Sequence, residues 1–156
     1  RFLRLRRDVF VFAFIGLALV MAAYHMLLWS FRLRDYSNLL FSLTAVLIAV
    51  RSVGAVSGPE RLLGALGRSE FALRRDDASF LLSAAALAAF LRSIYPGQFF
   101  RPANFLIIVI STGFALAALY WPAVDYARFS PTYVVFLGAA AIYMLGALVL
   151  AAIAGE

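Results

Sequence analysis

The sequence predicts an all-α fold, a polytopic bundle of transmembrane helices, and two observations carry this prediction. Hydrophobic residues make up 65% of the 156 residues and charged residues 14%, whereas soluble domains have about 45–50% and about 25%. Residues 9–31, 102–124 and 129–155 contain no Asp, Glu, Lys or Arg. Each run is long enough to cross a bilayer, because a spanning helix needs about 20 apolar residues. Residues 1–156 are therefore predicted to form a single transmembrane domain.

The first two spans are predicted on either side of a short polar turn. The first span covers residues 9–30 and follows a basic segment at the amino end. Residues 31–37 form the turn, since their charged side chains favour the membrane surface over its interior. The second span covers residues 37–56 and contains Arg51.

The third span is predicted at residues 78–95, after a long charged stretch. Residues 58–77 open with the helix-breaking pair Gly58-Pro59 and are predicted to form a loop. The third span ends at Tyr95-Pro96-Gly97, because Pro and Gly both interrupt helices. It is rich in alanine, which gains little from lipid but permits close packing. We therefore expect it to be the most enclosed helix.

The fourth and fifth spans each open with a proline. The fourth covers residues 102–122, with Pro102 in the first turn, where its missing N–H is not needed. Trp121-Pro122 closes this span, and residues 123–130 are predicted to form a loop. The fifth span covers residues 131–153.

Pairs of small residues four positions apart are candidate helix contacts, because they let backbones approach closely. These pairs are Ala18/Ala22, Ala84/Ala88, Ala85/Ala89, Gly113/Ala117 and Ala147/Ala151. We expect the bundle to pack along them.

Tyr24 and His25 are candidate polar or signalling residues inside the membrane. One interpretation makes His25 a proton-sensitive or ligand-contacting group. The favoured interpretation is a neutral imidazole that bonds to a neighbouring helix, or that reaches the interface beside Tyr24 and Trp29. A lone histidine without nearby carboxylates or cysteines provides no metal site.

Arg51 and Arg92 are the two further candidates of this kind. Arg51 lies close enough to the end of its span for its guanidinium to reach the membrane surface. The alternative is a salt bridge to a carboxylate of the following loop. The candidate carboxylates are Glu60, Glu70 and Asp76. Arg92, near the end of the third span, is interpreted as an interfacial anchor.

The residue inventory argues against catalysis within this chain. All eight carboxylates lie in predicted loops or at the termini, and the sequence contains no cysteine. It also lacks a nucleophile–base pair and a phosphate-binding loop, so we expect no enzyme activity, cofactor or metal site. The net charge of +6 is the difference between 14 arginines and eight carboxylates, and the arginines lie at the ends of apolar runs. Their expected partner is the lipid bilayer and not nucleic acid.

Two passages carry a resemblance to a known family. Residues 14–53 combine an aromatic-His-leucine-rich helix end, from Tyr24 to Leu28, with a basic turn that contains Asp35 and Tyr36. Residues 90–110 contain Phe-Leu-Arg, then Tyr-Pro, then a basic residue that opens the next helix. Both passages resemble the bacterial seven-transmembrane receptors with diverse intracellular signalling modules.

This resemblance implies a sensory domain that relays a periplasmic signal to a cytoplasmic output module. The family pattern has a sensor domain before the first helix and seven helices. A histidine kinase, nucleotide cyclase, diguanylate cyclase or phosphatase follows them. The chain begins with Arg1 and not Met, so we expect it to supply the first five helices of a longer protein in the bacterial inner membrane. Expected partners are a second copy or other membrane subunits, with a ligand that the sequence does not specify.

The resemblance and the charge distribution predict opposite orientations. The family arrangement places the amino end outside and the turns at 31–37 and 96–101 in the cytoplasm. Ten of the 14 arginines lie on the amino-end side, and basic loops favour the cytoplasm. Since this rule weakens when a large domain precedes the first span, we follow the resemblance and expect the amino end outside.

In that orientation the 58–77 loop meets the sensor domain or ligand, or is simply a solvated charged loop. Its candidate contacts are Glu60, Arg61, Glu70, Arg74, Arg75, Asp76 and Asp77. Two other functions stay open at this point. A transporter or channel subunit would need discontinuous helices or facing polar groups at mid-membrane, and an accessory subunit would pack against a larger membrane complex.

Overall fold

A computed structural model describes residues 2–54, 70–121 and 123–155, and these form five helices without a strand. The helices are α1 (Phe2–Phe31), α2 (Tyr36–Gly54), α3 (Glu70–Ile94), α4 (Arg101–Tyr120) and α5 (Ala123–Ala154). Each contains a stretch long and apolar enough to cross a membrane. The stretches are Val9–Phe31, Tyr36–Val53, Arg74–Ile94, Arg101–Tyr120 and Pro131–Ala154. The prediction of an all-α bundle with five spans is confirmed.

The ends of α4 follow the predicted breakers. Pro102 lies in the first turn, after the extended residue Phe100, which supplies no side-chain cap. Trp121 is extended and its backbone N–H donates to the carbonyl of Ala117, which closes the helix. α3 likewise ends at Ile94, directly before the Tyr-Pro-Gly sequence.

Helices continue beyond the apolar spans, so the predicted loop at 123–130 is wrong, and so is the described part of the predicted loop at 58–77. Residues 70–77 are the first turns of α3, and residues 123–130 are the first turns of α5. Hydropathy marks where lipid begins, but backbone hydrogen bonds make an existing helix easy to extend into the aqueous layer. Pro131 consequently lies inside α5 and does not start it. Gly58-Pro59 lies outside the described residues.

α3 occupies the centre of the bundle. It packs against α2 on one side and α4 on the other, and it also touches α5, whereas α1 packs against α2. In the span of α3, 44% of the residues are buried, compared with 6% in the span of α1. The expectation that the alanine-rich helix is the most enclosed is confirmed.

Small side chains form the contacts between α3 and α4. One buried cluster joins Ala78 and Leu81 of α3 to Ala115 and Ala118 of α4. A second cluster adds α5. It contains Ala88, Leu91, Phe99, Ile107, Ala140, Met144 and Ala147. Because lipid tails are as apolar as these residues, close van der Waals packing stabilises these contacts more than the hydrophobic effect does.

The predicted small-residue pairs have mixed outcomes. Ala147 and Ala151 are both buried, as expected. Gly113 is exposed and a Cβ added there would meet no atom within 4 Å, so the predicted contact at Gly113/Ala117 is wrong. α4 instead buries the face with Asn104, Ile107, Ser111, Ala115 and Ala118. The prediction failed at Gly113/Ala117 because small residues permit contact on every face of a helix. Which face is buried depends on where the neighbouring helices lie.

Large apolar side chains cover the outside of the bundle. Phe10, Ile142 and Ile153 are each more than 70% exposed. Such surfaces would be unfavourable in water, but they match the hydrocarbon of a bilayer.

Candidate functional site

The start of α2 carries a cap made of polar side chains. Asp35 directly precedes the helix, and one of its carboxylate oxygens accepts the backbone N–H of Ser37 at 3.2 Å and the hydroxyl of Ser37. The other oxygen accepts the side-chain amide of Asn38 at 3.0 Å. An acceptor at this position satisfies a backbone N–H that has no partner within the helix.

His25 connects this cap to α1. Its Nδ1 lies 2.9 Å from Oδ1 of Asn38. An ionised carboxylate only accepts hydrogen bonds, so Asn38 directs its NH₂ group towards Asp35 and its oxygen towards His25. His25 therefore carries a proton on Nδ1 and donates it to Asn38. The favoured interpretation of His25, as an imidazole bonded to a neighbouring helix, agrees with this geometry.

An aromatic path continues from His25 to α3. The imidazole lies 4.2 Å from the ring of Phe41 on α2, measured between centroids, and Phe41 lies 5.3 Å from Phe90 on α3. Tyr24 meets His25 edge to face at 5.4 Å but is itself 57% exposed. We call the connected set Asp35, Asn38, His25, Phe41 and Phe90 the relay cluster. It joins three consecutive helices at one end of the bundle.

Arginines make the contacts at the opposite end. The Cζ atom of Arg51 on α2 lies 3.6 Å from the ring centroid of Phe80 on α3. Arg74 of α3 donates from Nη1 to the carbonyl oxygen of Leu119 at 3.2 Å. That carbonyl lies in the last turn of α4, where helix carbonyls lack a partner and the helix dipole favours a cation.

The two alternatives for Arg51 are decided only in part. Arg51 makes a cation–π contact with Phe80, which was not predicted. Its candidate salt-bridge partner Asp76 is paired with Arg75 instead, at 3.1 Å. Of the other two carboxylates, Glu60 lies outside the described residues and Glu70 is the first residue of α3. Arg92 lies half-buried in the last turn of α3.

The residues predicted as contacts of an outer loop do not all lie in a loop. Arg74, Arg75, Asp76 and Asp77 are half-buried on α3, and Glu60 and Arg61 lie outside the described residues. Arg75 also donates from Nε to Asp76 at 3.3 Å. The four charged side chains from Arg74 to Asp77 therefore lie on a continuous helix that enters the membrane.

Sequence reasoning missed Asn38, Phe41, Phe80 and Phe90. The spacing of Asp35 and Asn38 was the available signal, because a polar residue three positions after a helix cap often bonds back to it. The aromatic contacts had no such signal, since each joins residues on different helices. Among the described residues, no three His, Asp or Glu side chains lie close enough to hold a metal ion.

Comparison with known families decides what kind of bundle this is. The family model described as 7TM diverse intracellular signalling matches residues 7–156. The chain belongs to this family. No curated protein and no solved structure matches it.

The 7TM diverse intracellular signalling match confirms the resemblance of residues 14–53 and 90–110. Domains of this family are membrane sensory domains of signalling receptors. The chain is therefore a multi-pass membrane protein of that class, and the relay cluster and the arginine contacts lie at the two ends of its helices.

Proposed function

We propose that this domain is the transmembrane part of a bacterial receptor in the inner membrane. It relays a periplasmic signal to a cytoplasmic output module outside residues 1–156. The match to the 7TM diverse intracellular signalling family supports this proposal. The output module is a histidine kinase, nucleotide cyclase, diguanylate cyclase or phosphatase, and these residues are not themselves catalytic. The domain works with a second copy or with other membrane subunits.

In the proposed orientation the amino end is outside. Because successive spans cross in opposite directions, the turns at 32–35 and 95–100 then face the cytoplasm. The relay cluster lies near the cytoplasmic surface, and the contacts of Arg51 and Arg74 lie near the periplasmic one. In this orientation, the contact between Arg74 and Leu119 joins the outer ends of α3 and α4.

The proposed relay is a small shift of α3 between its neighbours. Ala78, Ala115 and Ala118 are all buried between α3 and α4, and small side chains interlock less than large ones. Two packings of such an interface can differ by a few kcal/mol, which a binding event can supply. Movement of α3 would reach α1 and α2 through Phe90 and Phe41.

Cross-linking α3 to α4 tests this proposal. Residues 1–156 contain no cysteine, so Ala78→Cys with Ala118→Cys introduces one defined pair inside a buried cluster. In membranes that contain the full encoded protein, oxidation of the pair should change the rate of the output reaction by about fivefold or more, the lower end of typical coupling between sites. Reduction should restore the original rate.

The two single-cysteine variants are the matched controls, and oxidation should leave their output unchanged. An output rate that stays the same when the double variant is fully cross-linked would show that α3 does not move relative to α4 during signalling. The proposed relay would then be wrong.

A further inference from the structure

Arg51 and Phe80 form a pair on the outer surface of the bundle, where α2 meets α3. The guanidinium carbon lies 3.6 Å from the ring centroid, so the cation stacks on the aromatic face. Phe80 is 37% exposed and Arg51 is exposed as well. The pair belongs to neither buried cluster of the bundle, and the proposed relay does not use it.

The charge of Arg51 lacks an anionic partner among the described residues. Asp76 is one helical turn from Phe80 on α3, but it accepts hydrogen bonds from Arg75. A guanidinium within a membrane span is costly without a counter-ion, and stacking on an aromatic ring offsets only part of that cost. A further anion at this position would therefore stabilise the arrangement.

Arg51 lies within reach of the lipid headgroups. Arg51 lies two residues before the end of the span Tyr36–Val53. Phe80 is the third residue of the uncharged stretch 78–91 and lies roughly 9 Å along α3 from Arg74. Arg51 therefore lies near the end of its span, and Phe80 lies inside the span of α3. The long side chain of Arg51 can extend from this position to the phospholipid phosphates at the membrane surface.

The stacked geometry leaves the guanidinium ready to bind a phosphate. Phe80 lies against the guanidinium on one side, and because Arg51 is exposed, N–H donors remain accessible to an anion from outside the bundle. The guanidinium fork matches two oxygens of a phosphate, and a neighbouring aromatic ring restricts its motion.

We propose that Arg51, held against Phe80, binds the phosphate of a phospholipid at the lipid-facing junction of α2 and α3. The lipid neutralises Arg51 and bridges the two helices. Either membrane orientation allows this site, because both leaflets contain phospholipid.

Native mass spectrometry of the purified protein in a nonionic detergent, titrated with phosphatidylglycerol, tests this proposal. Arg51→Gln removes the charge and the fork, and should weaken lipid binding about tenfold, the size expected for loss of a charge-assisted hydrogen bond. Arg51→Lys should weaken binding by a smaller factor, because it keeps the positive charge. Phe80→Leu should also weaken binding by a smaller factor, because it keeps the guanidinium of Arg51. Arg101→Gln is the matched control, because Arg101 is exposed at the opposite end of the bundle, and it should bind like the wild type.

Diacylglycerol, which has the same tails without the phosphate, should bind the wild type no better than it binds Arg51→Gln. Equal affinity of the wild type and Arg51→Gln for phosphatidylglycerol would overturn the proposal. If Arg51→Gln does not fold, equal affinity of the wild type, Arg51→Lys and Phe80→Leu would overturn it instead. Displacement of the lipid by an excess of inorganic phosphate would also overturn it, by assigning the site to the free anion.

Discussion

Two asparagines of the bundle lie in contrasting surroundings. Asn38 bonds to His25 on one side and to Asp35 on the other. Asn104 is 1% exposed, and neither its side-chain oxygen nor its nitrogen has a hydrogen-bond partner among the described residues. A buried polar group that lacks a partner costs stability, whereas a bonded one contributes. The same substitution at the two positions should therefore have opposite effects.

Asn38→Leu should destabilise the domain by about 1–3 kcal/mol, because it removes two side-chain hydrogen bonds. Equilibrium unfolding in mixed micelles of detergent and SDS measures this change. A double-mutant cycle with His25→Phe isolates the contact between α1 and α2, whose coupling should be near 0.6 kcal/mol and below about 1.7 kcal/mol. Ser30→Ala is the control, since Ser30 bonds only to the Leu27 carbonyl of its own helix. Zero coupling in the cycle would show that His25 and Asn38 do not interact in the membrane.

Asn104→Leu should stabilise the domain by about 1–3 kcal/mol, because leucine has a similar volume and carries no polar atom to leave unbonded. The same unfolding measurement reports the change, and Asn38→Leu serves as the matched comparison. A loss of stability at Asn104 would mean that its amide is hydrogen-bonded in the native membrane protein.

At the scale of elements, α3 depends on having small side chains on several faces. Ala85, Ala86 and Ala88 are all buried, although each helix position points about 100° away from the one before it, so that these three side chains cover about 160° of the helix surface. A helix can bury such a range of directions only if neighbours surround it. For this reason the side-chain size along α3 sets how closely α2 and α4 can approach.

Ala88→Leu should destabilise the domain by about 1–3 kcal/mol, because Ala88 is 0% exposed and the added atoms would overpack the interface. Thermal unfolding in detergent, followed by circular dichroism, measures the effect. Ala141→Leu is the matched control on the exposed face of α5 and should leave the stability unchanged. If both variants unfold at the wild-type temperature, α3 is not enclosed as described.

At the scale of the whole molecule, α3 joins the two ends of the bundle. Phe90 contacts Phe41 at one end, and Arg74 bonds to the last turn of α4 at the other. The antiparallel pairing of α2 and α3 follows from their contacts, because Phe41 meets Phe90 while Arg51 meets Phe80. A displacement of α3 along its axis would therefore change contacts at both ends of the bundle.

The proposed orientation predicts which single cysteines an impermeant maleimide will label in intact cells. Leu33→Cys lies in the exposed turn between α1 and α2, and it should react only after the membrane is permeabilised. Leu33 suits this test because it is exposed and takes no part in the cap of α2. Ser69→Cys, in the segment between α2 and α3, should react without permeabilisation. The reverse pattern would place the amino end in the cytoplasm, as the arginine distribution predicts.

The sequence by itself determined that lipid surrounds the helices, how many spans there are and where most helices end. Long uncharged runs require helices in lipid, because backbone groups there find partners only within the same segment. Proline at Pro102 and the Tyr-Pro-Gly sequence after Ile94 act locally, so they could be interpreted without knowing the neighbours. The passages around Tyr24 and Arg101 also indicated the family.

Only the tertiary structure decided which faces meet and which polar groups pair. Alanine allows contact in every direction, so Gly113/Ala117 was as plausible as the buried face that contains Asn104 and Ser111. The contacts of His25 with Asn38, and of Arg51 with Phe80, each join residues on different helices. Their formation depends on the register and rotation of whole helices, which follow from the sum of many weak packing contacts and not from any local pattern.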